Sequence, residues 1–199
     1  MQFLLKLSGL IDRLNQHVGH GVIWLVLVAV LISALNAIVR KVFNFSSNAF
    51  LELQWYLFSA IFLFGAAYAL QKNEHVRIDV VTGRFSLRTR IWIELFGTLF
   101  FLLPMGLIIL CLSWPVFLNA LLSQEHSASA GGLAIWPARL LVPAGFALLV
   151  LQGLAQAIKC VGFLRGLCAD PTAREQRVSA EEELATAIRK EHELHARGE

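Results

Sequence analysis

The chain has 199 residues, 57% of them hydrophobic and only 16% charged, with a mean hydropathy of +0.64. Soluble domains carry about 25% charged residues, so the composition excludes an ordinary water-soluble fold and points to lipid as the solvent. The formal net charge of +3 acquires meaning only when mapped onto loops, where it reports topology rather than nucleic-acid binding.

Residues 1–20 place Leu4, Leu7, Ile11 and Leu14 at helical spacing, with Lys6, Asp12, Arg13 and Gln16 between them. The pattern predicts a short amphipathic helix in the cytoplasmic interface, with a continuous extension of the first span as the alternative. Four apolar blocks follow, with spans expected at about 21–39, 52–70, 92–114 and 137–161. Each is close to the roughly 20 residues that cross about 30 Å of hydrocarbon. Their cores, Gly21–Val39, Leu53–Leu70, Leu95–Trp114 and Leu140–Ile158, contain no charge. A helix buried in a soluble protein would show a polar face every turn. The first block is too long for a secretory signal and is followed directly by Arg40 and Lys41, so it reads as a retained span.

With the N-terminus inside, the cytoplasmic flanks hold nine basic residues: Lys6, Arg13, Lys72, Arg77, Arg84, Arg88, Arg90, Lys159 and Arg165. The outer flanks hold Arg40, Lys41 and Arg139. This bias puts both termini in the cytoplasm. Between spans two and three, Ile78, Val81 and Phe85 recur at helical spacing among Arg77, Asp79 and Arg84, which predicts a short amphipathic surface helix. Pro104 predicts a kink in span three. The second outer loop, Leu121–Trp136, turns polar and small, and Trp136-Pro137 marks an interfacial anchor and the first turn of span four. Past Gly162 the chain becomes polar again, with a capping-box pattern at Ser179 and Glu182 and a short solvated helix expected near Ser179–His195. The resulting organisation is an interfacial segment 1–20, an all-α four-helix transmembrane domain 21–166, and a cytoplasmic tail 167–199.

Few polar residues lie where chemistry would need them. In the fourth span Gly145, Gln152, Gln156 and Lys159 share one stripe, either a docking surface for another membrane subunit or internal packing. Glu52, at the outer edge of span two beside Gln54, Trp55 and Tyr56, is either a relay or ion ligand, or an interfacial group capping or pairing with Arg40 or Lys41. His75, Arg77 and Asp79 alternate in a cytoplasmic segment; a metal site would need further donors, so an ion-pair network fits better. All six histidines lie outside the spans, which argues against a haem bundle. No nucleophile–base pair and no phosphate-binding glycine loop is present. Cys111, Cys160 and Cys168 avoid the outer loops, so a disulfide framework is not expected. The expectation is a non-enzymatic partner subunit without cofactor, metal or substrate ligands of its own.

Three ordered motifs then carry a resemblance. The run Leu51-Glu52-Leu53-Gln54-Trp55-Tyr56-Leu57-Phe58, the run Asn73-Glu74-His75-Val76-Arg77-Ile78-Asp79-Val80, and Gly131-Gly132-Leu133-Ala134-Ile135-Trp136-Pro137 together resemble the small permease subunits of tripartite ATP-independent periplasmic (TRAP) transporters, the DctQ-like family, over roughly Val22–Gly166. The similarity is greatest to the branch labelled for mannitol or chloroaromatic compounds, and Ala134 stands where that family carries a proline. The resemblance implies a multi-pass protein of the bacterial inner membrane. It implies a large permease subunit and a periplasmic solute-binding protein as partners, and sodium-driven uptake of organic acids with the sodium sites in the large subunit. The small subunit would be a scaffold. Glu52, Gln54, Trp55, Tyr56, His75, Arg77, Asp79, Gly131, Gly132, Trp136 and Pro137 match its motifs. The resemblance further implies that Arg77 and Asp79 fix the turn after span two, while Gly131, Gly132 and Trp136 shape the outer loop. A membrane anchor for an unrelated soluble enzyme complex is the alternative, and an autonomous small transporter a third, for which no uptake by the chain alone is expected.

Overall fold

A computed structural model describes residues 2–43, 47–72, 85–168 and 188. Among them the chain is helical and contains no strand. Helix α1 runs Gln2–Phe43, α2 Asn48–Gln71, α3 Leu87–Leu122 and α4 Trp136–Leu164. All four are long and apolar enough to cross a membrane. The proposed surface helix between spans two and three, with His75, Arg77 and Asp79, and the helix near Ser179–His195 lie outside the described residues.

The separate interfacial helix expected over residues 1–20 is not observed: from Gln2 onward the segment is one continuous helix with the first span, which was the alternative. At 42 residues and 1.5 Å per residue, α1 is about 63 Å long, roughly twice the thickness of a hydrocarbon core. It therefore overhangs the bilayer. The overhang is paired, because α4 runs beside it: a Cβ on Gly162 would sit 3.2 Å from Leu5.

α4 is the hub. It packs against α1, α2 and α3, and α1 packs on α2, whereas α3 lies chiefly on α4. Accordingly 39% of the apolar window of α4 is buried, against 11–17% in the other three helices. Lipid offers no hydrophobic drive for helices to associate, so close backbone approach and polar contacts must do it. The approach points are glycines. A Cβ on Gly19 would lie 2.4 Å from Tyr68, one on Gly145 2.6 Å from Leu63, and one on Gly153 2.5 Å from Leu102. These three positions seat α1 on α2, α2 on α4 and α3 on α4.

α3 departs from regular geometry where the proline sits. Residues Thr98–Leu102 form a π turn, and the Leu103 N–H reaches back to the Thr98 carbonyl. Pro104 has no N–H to donate, and its ring crowds the carbonyl four residues earlier. A wider turn accommodates both, which is how a π segment enters a helix. The helix ends differ as well. α4 closes at Gly166 (φ 73°), with Leu167 N–H on the Gly162 carbonyl at 2.9 Å. α3 closes in the same manner but with Gln124 (φ 50°) in the left-handed position and Glu125 N–H on the Ala120 carbonyl at 3.2 Å.

Candidate functional site

Two polar clusters stand at opposite ends of the bundle, and neither resembles a reaction centre.

The first joins α2 to the loop between α3 and α4. That loop folds back on itself: Ser127 N–H donates to the Leu133 carbonyl at 3.0 Å and Ile135 N–H to the Glu125 carbonyl at 2.9 Å, with His126 and Ala134 facing each other as an isolated antiparallel pair. Three α2 residues four positions apart, hence on one helix face, hold it. Asn48 Nδ2 donates to the Ala130 carbonyl (3.2 Å), and Tyr56 Oη to the Ala134 carbonyl (3.1 Å). Between them Glu52 accepts from the Ser127 hydroxyl through Oε1 and from Leu133 N–H through Oε2 at 2.7 Å. Glu52 is 9% exposed. Its partners are loop groups, not the Arg40 or Lys41 expected from sequence. Gly132 is required here, because a Cβ would stand 2.5 Å from Ser127 and 2.9 Å from Glu52 Oε1. Gly131 takes φ 70° at the turn. Glu125 and Arg139 close the base of the loop with two parallel bonds of 2.6 and 2.9 Å.

The remaining motif residues frame this clasp. Gln54 is half-buried, and Trp55 is 70% exposed on the outside of α2. Trp136 and Pro137 form the first turn of α4, immediately after the loop.

The second cluster ties α1, α2 and α4 together at the other end. Lys159 Nζ contacts both Asp12 oxygens, at 2.7 and 2.6 Å. Gln152 donates through Nε2 to Asp12 Oδ1 (3.1 Å) and accepts through Oε1 from Asn15 Nδ2 (2.6 Å). Gln71, the last residue of α2, donates to the Asp12 carbonyl at 3.0 Å. Gln152 and Gln156 are fully buried inside the bundle. The fourth-span stripe is thus joined to α1 by partners, Asp12 and Asn15, that sequence reasoning did not single out. Asp12 was a polar spacer in an amphipathic pattern, and nothing in a linear pattern pairs it with a lysine 147 residues away. Just beyond α4, Cys168 Sγ donates to the Lys159 carbonyl at 3.3 Å. Burial pushes its thiol up, and the nearby Lys159 ammonium offsets part of that.

No group of three or more His, Cys, Asp or Glu side chains among the described residues is arranged to hold a metal ion. What the two clusters do is fix a loop on one end of the bundle and lock three helices at the other.

No curated protein and no solved structure matches the chain. The family model described as "Tripartite ATP-independent periplasmic transporters, DctQ component" matches residues 18–162, which takes in the whole loop clasp and, of the second cluster, Gln71, Gln152, Gln156 and Lys159 but not Asp12 or Asn15. The chain therefore belongs to the DctQ family: it is the small membrane subunit of a TRAP transporter, a multi-pass protein of the inner membrane.

Proposed function

We propose that this subunit is a scaffold without transport chemistry of its own. It would hold the fixed part of a large permease subunit while the transport part moves, within a sodium-driven system that takes up organic acids delivered by a periplasmic binding protein. In this reading the sodium sites belong to the large subunit, the small subunit needs no cofactor and catalyses no reaction, and both termini are cytoplasmic. The nine basic residues on the flanks assigned to the cytoplasm, against three on the other flanks, support that orientation.

The observation that carries the reading is the use made of Glu52. A carboxylate at a membrane boundary is the first place to look for a proton relay or an ion ligand. Here one oxygen is engaged by a hydroxyl and the other by a backbone N–H of the same loop, so the group acts as a loop anchor. The other buried polar side chains among the described residues are the amides of Asn15, Gln152 and Gln156 and the hydroxyls of Ser8 and Thr98, none of which carries a charge. Most of the remaining surface is apolar, with Trp55, Phe58 and Phe62 in one exposed stripe of α2, as suits a helix bundle seated among lipid and another membrane subunit.

The test is co-expression of the tagged chain with the large permease subunit of the same transporter, followed by purification in mild detergent. A stable complex is expected, together with sodium-dependent uptake that needs both subunits. A chain that comes out alone, or one that moves solute by itself in liposomes, would sink the proposal.

A further inference from the structure

The sparse packing of α3 leaves a groove between its first half and the inner end of α2, floored by α4. It has a volume of about 530 Å³ and is walled by Leu70, Ile93, Phe101, Met105, Phe146 and Leu149. Gly97 leaves one side open: a Cβ there would meet nothing within 4 Å. The lining is apolar except for Glu94 and Thr98. One turn toward the end of α3, Arg90 stands three and four residues before Ile93 and Glu94 and seven before Gly97, which puts it on the groove-facing stripe. Arg88 lies in the same first turn. Neither arginine has a carboxylate partner among the described residues. Two cations without a carboxylate partner among the described residues, at the N-terminal end of a helix, run against its dipole and leave room for an anion from outside the chain.

We propose that this groove is a specific site for one anionic glycerophospholipid of the adjacent leaflet, with its phosphate on Arg90 and one acyl chain lying over Gly97 toward Met105. An apolar groove alone would not select a lipid, because a chain leaving bulk lipid gains no hydrophobic free energy. Selection has to come from charge, and basic residues at the membrane surface attract anionic headgroups. The helix has the matching order: Arg90 comes one turn before the first α3 residues that line the groove, and the lining beyond it is apolar apart from Glu94 and Thr98. Glu94, one turn deeper, limits how far the phosphate can enter. The lipid would fill the gap that α2 and α3 leave between them and hold α3 against the rest of the bundle. This site is independent of which protein partners the subunit has.

Native mass spectrometry of the full chain, released from nanodiscs of mixed phosphatidylglycerol and phosphatidylethanolamine, tests it. One phosphatidylglycerol should stay bound, favoured over phosphatidylethanolamine. Arg90→Gln should weaken its retention about fivefold, the effect of one basic contact at a membrane surface. Gly97→Leu, whose side chain grows into open space, should abolish retention, while the lipid-free chain in detergent unfolds at the wild-type temperature. In cells, a photo-crosslinking residue in place of Met105 should capture phospholipid. The proposal is overturned if Gly97→Leu retains lipid like the wild type, if neither headgroup is preferred or Arg90→Gln changes nothing, or if the Met105 probe captures a polypeptide, which would assign the groove to a partner helix.

Discussion

The two ends of this bundle face the same problem and solve it differently. At the loop end, α2 presents three side chains on one face, and what they bind is mostly backbone: the carbonyls of Ala130 and Ala134 and the N–H of Leu133. At the opposite end nearly every bond joins side chain to side chain, across helices that are far apart in sequence. A loop has many unpaired backbone groups that must be satisfied, so one carboxylate can fix its shape. Adjacent helices have satisfied their backbones already, and only side chains remain to set their register. The loop end is therefore sensitive to shape, and the helix end to charge and amide pairing.

The sharpest way to break that contrast is at Gly132. A valine there would place atoms on Ser127 and against the Glu52 carboxylate, and overpacking of this kind costs about 1–3 kcal/mol. Gly132→Val is expected to free the loop, seen as faster amide exchange at Leu133 and new protease cleavage between residues 126 and 132, with the Asp12–Lys159 end unaltered. Protection that matches the wild type would show that the loop is held by something other than the clasp.

Next in size is Lys159→Met. Both partners of the pair are less than a quarter exposed (24% and 22%), and removing one leaves Asp12 uncompensated. Loss of one partner of a fully buried pair costs 3–5 kcal/mol, so about 2 kcal/mol is expected here. Adding Asp12→Asn should recover most of it, since an unpaired carboxylate, not a missing bond, is the main penalty. Denaturant unfolding in detergent of the four proteins in this cycle measures the coupling. Simple additivity would remove the pair from the account of this end.

Gln152→Leu comes third. It deletes one accepted and one donated bond in a fully buried position. Side-chain bonds between membrane helices average only about 0.6 kcal/mol, so a loss of about 1 kcal/mol is expected. Asn15→Leu on top of it should add little. A full additive cost would mean that Asn15 has a second role.

How far each end could be read in advance follows from the same difference. The four spans were legible because twenty apolar residues without charge have one stable use in a cell. Glu52, Tyr56, Gly131 and Gly132 were visible as motif residues, since loop and helix each carry their signal within a few positions. Their partnership was not: Arg40 and Lys41 are the nearest candidate partners of Glu52 in sequence, and sequence proximity is a poor guide to what a returning loop brings near. At the other end the stripe of Gln152, Gln156 and Lys159 was visible as a helical face. Asp12 and Asn15 were not visible as its partners, because helix register is a property of two helices and a pattern describes one. The π turn escaped for a related reason: Pro104 announces that regular geometry must fail, but a kink and a widened turn both answer it. Gln124 in the left-handed position of the α3 cap carries no signal at all, whereas Gly166 at the end of α4 does.

The smallest effect is expected at Arg139→Gln. The Arg139–Glu125 bridge has the best geometry of any ion pair among the described residues, with two bonds of 2.6 and 2.9 Å. By appearance it should dominate the loop. Its side chains are nevertheless 33% and 41% exposed, and pairs open to water contribute about 0–1 kcal/mol because solvent screens them and holding long side chains costs entropy. The loop's shape, moreover, does not depend on it: the Ile135 N–H to Glu125 carbonyl bond joins the same two strands of chain through backbone alone. Arg139→Gln should therefore shift the unfolding midpoint by at most about 2–4 °C, what about 1 kcal/mol moves in a domain of this size, and the shift should vanish in high salt. Gly132→Val should be indifferent to salt. A salt-sensitive loss at Arg139 as large as that of Gly132→Val would reverse the assignment, making charge rather than shape the determinant of the loop end.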